Sequence, residues 1–349
     1  MVFVGFSFFL TVSLARALLK DDGLTVSGRG AAWARNHHLG AVVDVVESWK
    51  YSSPPSSKEA GELSVVNGDS SSSEIDPKAF RPMPLIPIVV NPPSDEGIWK
   101  VVRKLERDPV VWTTGFHPSK KFPQMTVSFA LIDQQKLTAA LYNGTEVPGG
   151  CGWTLGNKVE GTVVSRLVFA FNGGFREEHA GGGYYTEGKT IWPLVHGMAA
   201  LTIDRKGKID IGVWGVSPGM RMSNLSSFAT VRQNLRPTVI DGQPNPELKN
   251  GYWGGGKKGE IFILRSGVCK RTDGKILFAI GAPIDATTLA QAMVHAGCEA
   301  GMQLDQNESY PRGYIFDGGE ISKLDSRMVG RIDQYLTGSP REFFALFER

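Results

Sequence analysis

The sequence predicts an α+β protein that has a large, mostly antiparallel β-sheet and few helices, preceded by an N-terminal apolar leader and a flexible tether. Two observations favour this fold class. Short runs of β-forming residues alternate with turn residues over most of the chain, and only one strong helical pattern interrupts them. The 42 glycines among the 349 residues, partly in clusters, fit a fold with many turns better than a helical bundle.

Composition narrows the functional classes. With 41% hydrophobic and 21% charged residues, the chain has the composition of an ordinary globular protein. A net charge of +3, without a cluster of Lys and Arg interleaved with aromatic residues, argues against a nucleic-acid partner. The three cysteines allow one disulfide with one thiol left over, and none has the spacing of a zinc site.

The first 20 residues are predicted to be a signal peptide or a membrane anchor. Residues 2–15 are apolar and are followed by Arg16 and Lys20. This length suits the apolar core of a signal peptide better than a membrane span of about 20 residues. We therefore expect an exported protein that is extracellular, periplasmic or anchored in the cell envelope. Because no Lys or Arg precedes the apolar run, a short anchor stays open, as does a buried helix of the folded domain.

Three further segments follow the leader. Residues 21–51 are predicted to form a short helical segment, because apolar residues such as Trp33, Leu39, Val42 and Val46 recur there at helical spacing. Residues 52–97 are predicted to be a Ser/Pro-rich flexible linker, and residues 98–349 the folded domain.

The folded domain is predicted to consist mainly of strands paired as antiparallel hairpins. Turn sequences Asp-Arg-Lys-Gly-Lys and Thr-Asp-Gly-Lys separate two of the pairs. The predicted strands are VVW (110–112), TVSFALI (126–132), LVFAF (167–171), AALTID (199–204), IDIGVWG (209–215), EIFILR (260–265) and ILFAIG (276–281). One helix is predicted in DATTLAQAMVHAGC, with Asp285 or Thr287 as its N-cap and Gly297 at its end. A strand that stops at Asp305 follows it.

Asn172-Gly173-Gly174 directly follows a predicted strand and has two interpretations. Asn-Gly tolerates the positive φ of a type I′ turn, so a tight hairpin is the plain structural one. In the functional interpretation, backbone N–H groups around the glycines form a concavity for an anion, and the Asn side chain supplies a neutral hydrogen-bond partner. Both can hold together.

Three other polar residues occupy positions that suit chemistry. Arg265 closes the predicted strand IFILR, and its planar fork matches two oxygens of a phosphate. Asp305 ends a predicted strand, where a carboxylate can orient water or stabilise positive charge at a sugar carbon. His196 is a weaker candidate, since it is more often a packed histidine than a base. Each of the other two also has a purely structural interpretation: Arg265 could only extend into solvent, and Asp305 could only begin a turn. Signatures of a serine-hydrolase elbow, a zinc protease or a Walker loop are missing from the sequence.

Taken in order, these segments resemble the phosphodiester glycosidase family. The resemblance rests on AFNGGF, RSGVCKRTDGKILFAIG and GMQLD, covers roughly residue 99 to the C-terminus, and is closest to bacterial members associated with exopolysaccharide. The family pattern is Asn-Gly-Gly-Phe-Phe, then Arg with a small residue, then Leu-Asp-Gly-Gly-Gly-Ser. Here Arg176 stands for the second Phe, and Gln306-Asn307-Glu308 replace the glycines. Because these residues carry Cβ atoms, the family's glycine phosphate loop cannot be assumed there.

The resemblance implies hydrolysis of a sugar 1-phosphodiester to a free sugar and a phosphomonoester. It implies Asp305, Arg265 and Asn172 as catalytic residues. The substrate-binding residues that we expect are Gly173, Gly174, Ser266, His196 and Asn307. The partner is then a carbohydrate or glycosyl phosphodiester. If the first 20 residues are an anchor rather than a signal peptide, the N-terminus also attaches the protein to a membrane.

Two non-catalytic alternatives stay open. The chain could be an envelope protein that binds glycan or a polyphosphodiester without cutting it, or a structural envelope protein whose strand-end polar residues only form turns. No cofactor is expected from the sequence. Carboxylates near phosphate could hold Ca²⁺ or Mg²⁺ without a readable spacing. The Asp317-Gly318-Gly319 sequence downstream is predicted to be a turn.

Overall fold

The computed structural model describes residues 11–20, 24–66, 75–254 and 261–349. Residues 11–18 are helical, so the predicted signal peptide or anchor lies partly outside the described residues. Within the described parts, no helix has the length and apolarity that a bilayer crossing requires. The longer helices are α1 (Val26–Asn36), α2 (Gly40–Lys50) and α4 (Ala286–His295), and the short ones are α3 (Glu177–Ala180) and α5 (Gln334–Thr337).

The strands run from residue 100 to residue 348. They are β1 (Lys100–Leu105), β2 (Asp108–Phe116), β3 (Thr126–Ile132), β4 (Leu137–Tyr142), β5 (Leu167–Asn172), β6 (Tyr184–Thr186), β7 (Lys189–Trp192), β8 (Ala199–Asp204), β9 (Ile209–Val213), β10 (Phe228–Gln233), β11 (Val239–Ile240), β12 (Gln243–Pro244), β13 (Ile263–Arg271), β14 (Ile276–Ile284), β15 (Cys298–Gln306), β16 (Gly313–Asp317), β17 (Glu320–Lys323) and β18 (Phe343–Glu348).

These strands form three sheets. The largest has eight strands in the order β1-β2-β3-β14-β13-β15-β11-β12. The other two have five strands each, in the orders β7-β6-β10-β8-β9 and β17-β16-β5-β18-β4. The pairs within each sheet are antiparallel, for example β13 with both β14 and β15. The predicted α+β class with mostly antiparallel sheets and few helices is therefore confirmed.

Apolar side chains of the three sheets form the main core. Strands β3 and β14 are buried on both faces over most of their length, which explains their nearly continuous apolar sequences. One face of the eight-stranded sheet packs against the five-stranded sheets through residues such as Phe169, Phe171 and Phe278. The other face packs against α4, where Leu289 and Met293 are buried. The core thus fixes the relative position of the strand ends that carry polar residues.

Both predicted hairpins are present, and side chains of their turns explain why. In the β8–β9 turn, Asp204 Oδ1 accepts hydrogen bonds from the backbone N–H groups of Lys206 and Lys208, at 2.8 and 2.9 Å. In the β13–β14 turn, Gly274 adopts a φ of +76°, which favours glycine. Asp317-Gly318-Gly319 also forms the predicted turn, between β16 and β17.

Two local interpretations were wrong. Asn172 and Gly173 do not have the positive φ of a type I′ turn, and β5 pairs with β16 and β18 rather than with the next strand. Arg265 does not close a strand, because Ser266-Gly267 continues β13. Glycine is common in turns, but Gly267 is a close-packing position inside β13: a Cβ there would lie 2.9 Å from Met293 Sδ. Glycine pattern alone does not separate these two uses.

Helix α4 agrees with its prediction. Asp285 caps α4 by accepting a hydrogen bond from the Thr288 N–H at 2.9 Å, and Gly297 follows the helix with a φ of +90°. Cys298, at the start of β15, forms a disulfide with Cys269 of β13, and Cys151 is free and exposed. The strands that carry Arg265 and Asp305 are therefore joined covalently.

Parts of the predicted linker pack on the β-sheets. The N–H of Gly61 donates to Pro123 O at 3.0 Å, and that of Val66 donates to Leu324 O at the same distance. Glu96 is buried and bonds the ring of His117. Residues 67–74 lie outside the described part of the chain. The boundary between linker and domain stays a prediction.

Candidate active site

Strand ends from the sheets bring three predicted site residues into one chain of hydrogen bonds. Asn172 is the last residue of β5, Ser266 lies in β13 and Asp305 in β15. Asn172 Nδ2 donates to Ser266 Oγ at 2.9 Å, and Ser266 Oγ donates to the backbone oxygen of Asp305 at 3.0 Å. All three residues are nearly or fully buried. Their positions are fixed by the strands, since each is held on regular backbone.

The glycine loop, Gly173-Gly174, is closely packed, and its backbone N–H groups already donate hydrogen bonds to protein acceptors. The N–H groups of Gly173 and Gly174 donate to the backbone oxygen and to Oε1 of Glu342, both at 3.0 Å. A Cβ on Gly173 would lie 2.5 Å from Glu342 Cγ, and one on Gly174 would lie 2.8 Å from Asn234 Cγ. The glycines are therefore required for close approach. The anion-binding role of these amides stays a prediction, because protein acceptors hold them in this conformation.

A buried ion pair lies under this loop and was missed by sequence reasoning. Arg232 of β10 donates to Glu342 Oε1 from Nε at 2.9 Å and from Nη2 at 2.8 Å, and neither side chain is exposed. Arg232 also stacks on Trp192, 4.9 Å from the ring centroid. The sequence did contain a signal for this ion pair: FATVRQ and REFFALF each place charged residues inside or beside an apolar strand. A charge that is buried in this way needs a buried partner of opposite charge.

Asp305 is the titratable group of the site. The residue is 5% exposed, and burial raises the pKa of its carboxyl from 3.8 to about 6, although the charge of Arg341 acts in the opposite direction. Arg341 Nη2 lies 3.0 Å from Asp305 Oδ2 and donates to Gly174 O at 2.7 Å. The carboxylate thus has one guanidinium partner and a pKa within the range useful for proton transfer near neutral pH.

A small cavity that is lined mainly by polar residues lies beside Asp305 and Arg341. Its volume of about 10 Å³ is close to the space that one water molecule needs. Two buried atoms near it, Arg341 Nε and Glu342 Oε2, have no hydrogen-bond partner among the described residues. Tyr310 also lines the cavity, and its ring lies 4.7 Å from the Arg341 guanidinium. Because Arg341 and Glu342 both line this cavity, a water in it is a candidate partner for these atoms.

Arg265 lies beside this group but is fully engaged. Its side chain is not exposed, and burial lowers the pKa of its guanidinium to about 10. Each of its three nitrogens donates to a neutral acceptor. The acceptors are the backbone oxygens of Trp253, Gly254, Ile261 and Ile284 and the side-chain oxygens of Gln303 and Gln306. In this conformation Arg265 holds Trp253, Gly254 and Ile261, and its role as phosphate ligand stays a prediction.

The remaining predicted residues take different places. Asn307 lines the site, and its Oδ1 accepts from the N–H groups of Ser309 and Tyr310, both at 2.7 Å. His196 is exposed and lies against Gly215, apart from the residues that line the site. The structure therefore brings Asn172, Ser266 and Asp305 together with Asn307 but leaves His196 outside.

A large cleft opens in front of Asp305. Its volume is about 1200 Å³, and Asp305, Tyr310 and Arg341 lie at its inner end, where they also line the small cavity. The outer wall is the helical hairpin, which we define as α1 and α2 (residues 26–50). Phe175 and Arg176, with the Gln306–Ser309 turn, form the wall of the β-sheet body. The site is therefore closed on one side by a segment predicted only as a short helix.

Glu308 attaches the helical hairpin to the body. Lys50 Nζ and Tyr51 OH donate to Glu308 Oε1 at 2.6 Å each, and Ser27 Oγ donates to Oε2 at 3.2 Å. Burial alone would raise the Glu308 pKa, but the bonds from Lys50 and Tyr51 outweigh it and lower the pKa. Arg176 adds a contact to Asn36 Oδ1 at 2.7 Å. Arg176 and Glu308, which contact the hairpin, are two positions at which the sequence differs from the motifs that it otherwise resembles.

Acidic and histidine side chains do not gather around a cation site in the described residues. Among residues 11–20, 24–66, 75–254 and 261–349, no group of three His, Cys, Asp or Glu side chains could hold a metal ion. Asp305 and Glu342 instead have arginine partners.

Comparison with known proteins gives distant structural matches only. No family model and no curated protein sequence matches the chain. The catalytic domain of zebrafish N-acetylglucosamine-1-phosphodiester α-N-acetylglucosaminidase, auto-inhibited by its pro-peptide, matches with 16% identity and a TM-score of 0.47, over 72% of this chain and 88% of that one. A hypothetical protein from Synechocystis matches with 10% identity and a TM-score of 0.43, over 74% and 64%. A Burkholderia pseudomallei protein described as exported matches with 12% identity and a TM-score of 0.37, over 64% and 74%. None of these scores assigns an activity to this chain.

Proposed function

We propose that the chain is an exported hydrolase that cleaves a sugar 1-phosphodiester to a free sugar and a phosphomonoester. The observation that carries this proposal is the hydrogen-bonded group of Asn172, Ser266 and Asp305 with Arg341, in which Asp305 and Arg341 line the inner end of a large cleft. The ordered sequence motifs that resemble the phosphodiester glycosidases contribute Asn172, Ser266 and Asp305 to this group. An acid of raised pKa beside a guanidinium suits the cleavage of an anionic ester.

In the proposed reaction, water attacks the anomeric carbon and the bond from this carbon to the phosphate oxygen breaks. The phosphomonoester leaves with the bonding electrons, so acid assistance is a small requirement. Ionised Asp305 orients the water and accepts its proton, or stabilises the positive charge that develops at the sugar carbon. The cavity beside Asp305 and Glu342, with space for one water, is a suitable position for the nucleophile.

Arginine side chains that line the cleft supply the positive charge for the phosphate. Arg341 is the nearest one to Asp305, and Arg176 lines the same cleft, bonded to Glu146 at 3.1 Å. A guanidinium pairs well with two phosphate oxygens. Arg265 acts in this proposal through the segment that it holds, and it becomes a direct ligand only if the bonds to Gln303 and Gln306 open.

Export is part of the proposal. The apolar run over residues 2–15 is the sequence support for it. The Cys269–Cys298 disulfide adds physical support, because disulfides persist mainly in oxidising compartments outside the cytosol. We propose an extracellular, periplasmic or envelope-anchored protein.

Substitution of Asp305 by Asn tests the proposed function. We would incubate the purified chain with a panel of sugar 1-phosphodiesters, with and without chelator, and measure liberated reducing sugar. Asp305→Asn keeps the size of the side chain, and we expect a loss of at least about 100-fold in kcat/KM. Asp317→Asn, at the exposed end of β16, is the matched control and should retain full activity. Undiminished turnover by Asp305→Asn would remove this residue from the mechanism.

One observation favours a non-catalytic alternative. Because Arg265 and the amides of Gly173 and Gly174 are held by protein acceptors, the chain could bind glycan or a polyphosphodiester without cutting it. Titration calorimetry with such a polymer, followed by analysis for free sugar, separates the two functions. Binding without released sugar from any substrate of the panel supports the binding protein and contradicts the hydrolase.

A further inference from the structure

Helix α2 presents an exposed apolar stripe. Val42, Val45, Val46 and Trp49 follow one another at the spacing i, i+3, i+4 and i+7, and their exposed fractions are 59%, 69%, 55% and 82%. Such a stripe normally packs against a core. Neither α1 nor α2 has a buried residue, so the helical hairpin does not use its apolar stripe to attach itself to the body.

Polar contacts hold the hairpin at its ends and leave the stripe free. Glu308 receives the donors from Ser27, Lys50 and Tyr51, and the Phe262 N–H donates to Tyr51 O at 2.9 Å. Between the two helices, Arg35 joins Asp44 at 2.7 Å and Glu47 at 3.1 Å. The hairpin is therefore held as an arm that stands away from the β-sheets, with the cleft between them.

The stripe lines the same cleft whose inner end holds Asp305 and Arg341. Opposite it, the body contributes the apolar side chains of Phe175, Ile261 and Ile263 to the lining. At about 1200 Å³ the cleft exceeds the usual range for a small-molecule site, which is about 300–1000 Å³. Its inner end is charged, and its outer wall carries the apolar stripe beside the charged side chains of Arg35, Asp44, Glu47 and Lys50.

We propose that the cleft binds an amphiphilic phosphodiester, with the charged phosphate near Arg341 and a long hydrocarbon chain along the α2 stripe. This deepens the proposed function, on which it rests, by naming the substrate class: a sugar joined through phosphate to a lipid alcohol. Continuity of the stripe with the charged end of the cleft selects this occupant, because a single amphiphilic molecule would cover both parts. A membrane surface or a second copy of the chain would cover the stripe without using the charged end.

The binding arm of the test uses alkyl phosphates and does not depend on catalysis. We would titrate the full chain with methyl, hexyl and decyl phosphate, each below its micelle concentration, and follow the heat of binding. Burial of one methylene group contributes about a threefold to fourfold gain in affinity. We expect decyl phosphate to bind at least about 100-fold more tightly than methyl phosphate.

Two independent variants and a control test whether the hydrocarbon chain of the ligand lies along the α2 stripe. Val42→Ser combined with Val46→Ser, and separately Trp49→Ser, should reduce the ratio of decyl to methyl affinity at least about tenfold. Methyl phosphate binding should be unchanged in both, which also shows that the charged end is intact. Val216→Ser, at an equally exposed valine outside the cleft lining, should behave as wild type. If affinity still increases with the length of the hydrocarbon chain in both stripe variants as it does in the wild type, the proposal is overturned.

The catalytic arm separates this proposal from the proposed function. We would compare kcat/KM for sugar 1-phosphodiesters with methyl and decyl aglycones. Equal turnover of both, with no dependence of affinity on chain length, supports the hydrolase and overturns the lipid substrate. Tight binding of decyl phosphate without sugar release from either compound contradicts the hydrolase and leaves the lipid site supported.

A last comparison addresses the membrane as occupant. Binding to vesicles of phosphatidylcholine and phosphatidylglycerol would be measured for wild type and for Trp49→Ser. If Trp49→Ser weakens vesicle binding but leaves the preference for monomeric decyl phosphate unchanged, the stripe docks on membranes and the proposal is wrong.

Discussion

The inner end of the cleft and its outer wall are built in opposite ways. Around Asn172 and Asp305, side chains are buried, joined by hydrogen bonds, and held on strands of three sheets. The helical hairpin has no buried residue and is attached mainly through one carboxylate, Glu308. Low burial and few contacts are the marks of a segment that opens at low free-energy cost. The β-sheet body therefore fixes the groups that we propose to react, whereas the hairpin, in the same proposal, limits which molecules fit in front of them.

Removal of Glu342 gives the largest effect that this comparison predicts. Glu342→Ala leaves Arg232 as a buried charge without its partner, and we expect a loss of about 3–5 kcal/mol in the free energy of unfolding. Urea denaturation followed by circular dichroism measures it. Glu247→Ala, which breaks the exposed Arg236–Glu247 pair, is the control and should leave the midpoint unchanged. Equal midpoints for both variants would show that the inner end is not the stable region.

A methyl group on the glycine loop tests close packing in the same region. Gly173→Ala places a Cβ 2.5 Å from Glu342 Cγ, and the bonds from Arg232 and Gly174 prevent Glu342 from moving away. We expect a loss of about 1–3 kcal/mol in unfolding free energy, together with reduced turnover. Gly156→Ala has free space around its Cβ and a backbone that alanine accepts, so it should be neutral. A stable and active Gly173→Ala variant would contradict the packing argument.

The pH dependence of turnover reports on Asp305. Because burial raises its pKa to about 6 and the ionised form is the one proposed to act, kcat/KM should fall about tenfold per pH unit below that value. Arg341→Gln removes the charge that opposes this rise, so the acid limb should move to higher pH. Arg331→Gln, which breaks an exposed pair with Asp333, leaves the limb in place. An acid limb that stays near pH 4 in the wild type would mean that another group titrates.

The titration of the Asp305 carboxyl also makes the free energy of unfolding depend on pH. Its folded pKa of about 6 lies above its ordinary value of 3.8, so the contribution is fully present below pH 3.8 and is lost as the pH rises through about 6. The difference in unfolding free energy between wild type and Asp305→Asn should therefore change between pH 4 and pH 6, in favour of the variant at the higher pH. A difference that is independent of pH over this window would contradict the raised pKa.

The smallest effect on global stability is expected at the hairpin. Glu308→Gln keeps the size of the side chain but loses the charge that Lys50 pairs with at a half-exposed position, so we expect a change below about 1 kcal/mol. Local opening should nevertheless increase, and hydrogen exchange over residues 26–50 should become faster. Exposed Glu320→Gln is the control. Unchanged exchange in Glu308→Gln would show that other contacts hold the hairpin.

Prediction from sequence worked where the signal was local. The strand TVSFALI and the capped helix after Asp285 were correctly predicted, because alternation, turn residues and an N-cap act over a few neighbouring positions. The predicted turn at Asn172-Gly173 was wrong because a distant residue, Glu342, is what requires the glycine. Local sequence carries no information about such a partner.

The polar residues of the site show the same division. Asn172, Ser266 and Asp305 were found through ordered motifs and do meet in space. Arg341 and Arg232 were not found, because their positions follow from pairing between strands that are far apart in sequence. The hydrogen bonds from Arg265 to backbone oxygens could not be predicted either, because they depend on the position of Trp253 in the folded protein.

The position of Glu308 has a practical consequence for anyone who shortens this protein. A cut after residue 51, at the predicted start of the linker, would produce a truncated chain in which Glu308 loses Ser27, Lys50 and Tyr51 at once. The cleft in front of Asp305 and Arg341 would then lack the wall that α1 and α2 form. Such a fragment could fold and still misrepresent which compounds the intact protein selects, so substrate screens belong on a chain that keeps residues 24–51.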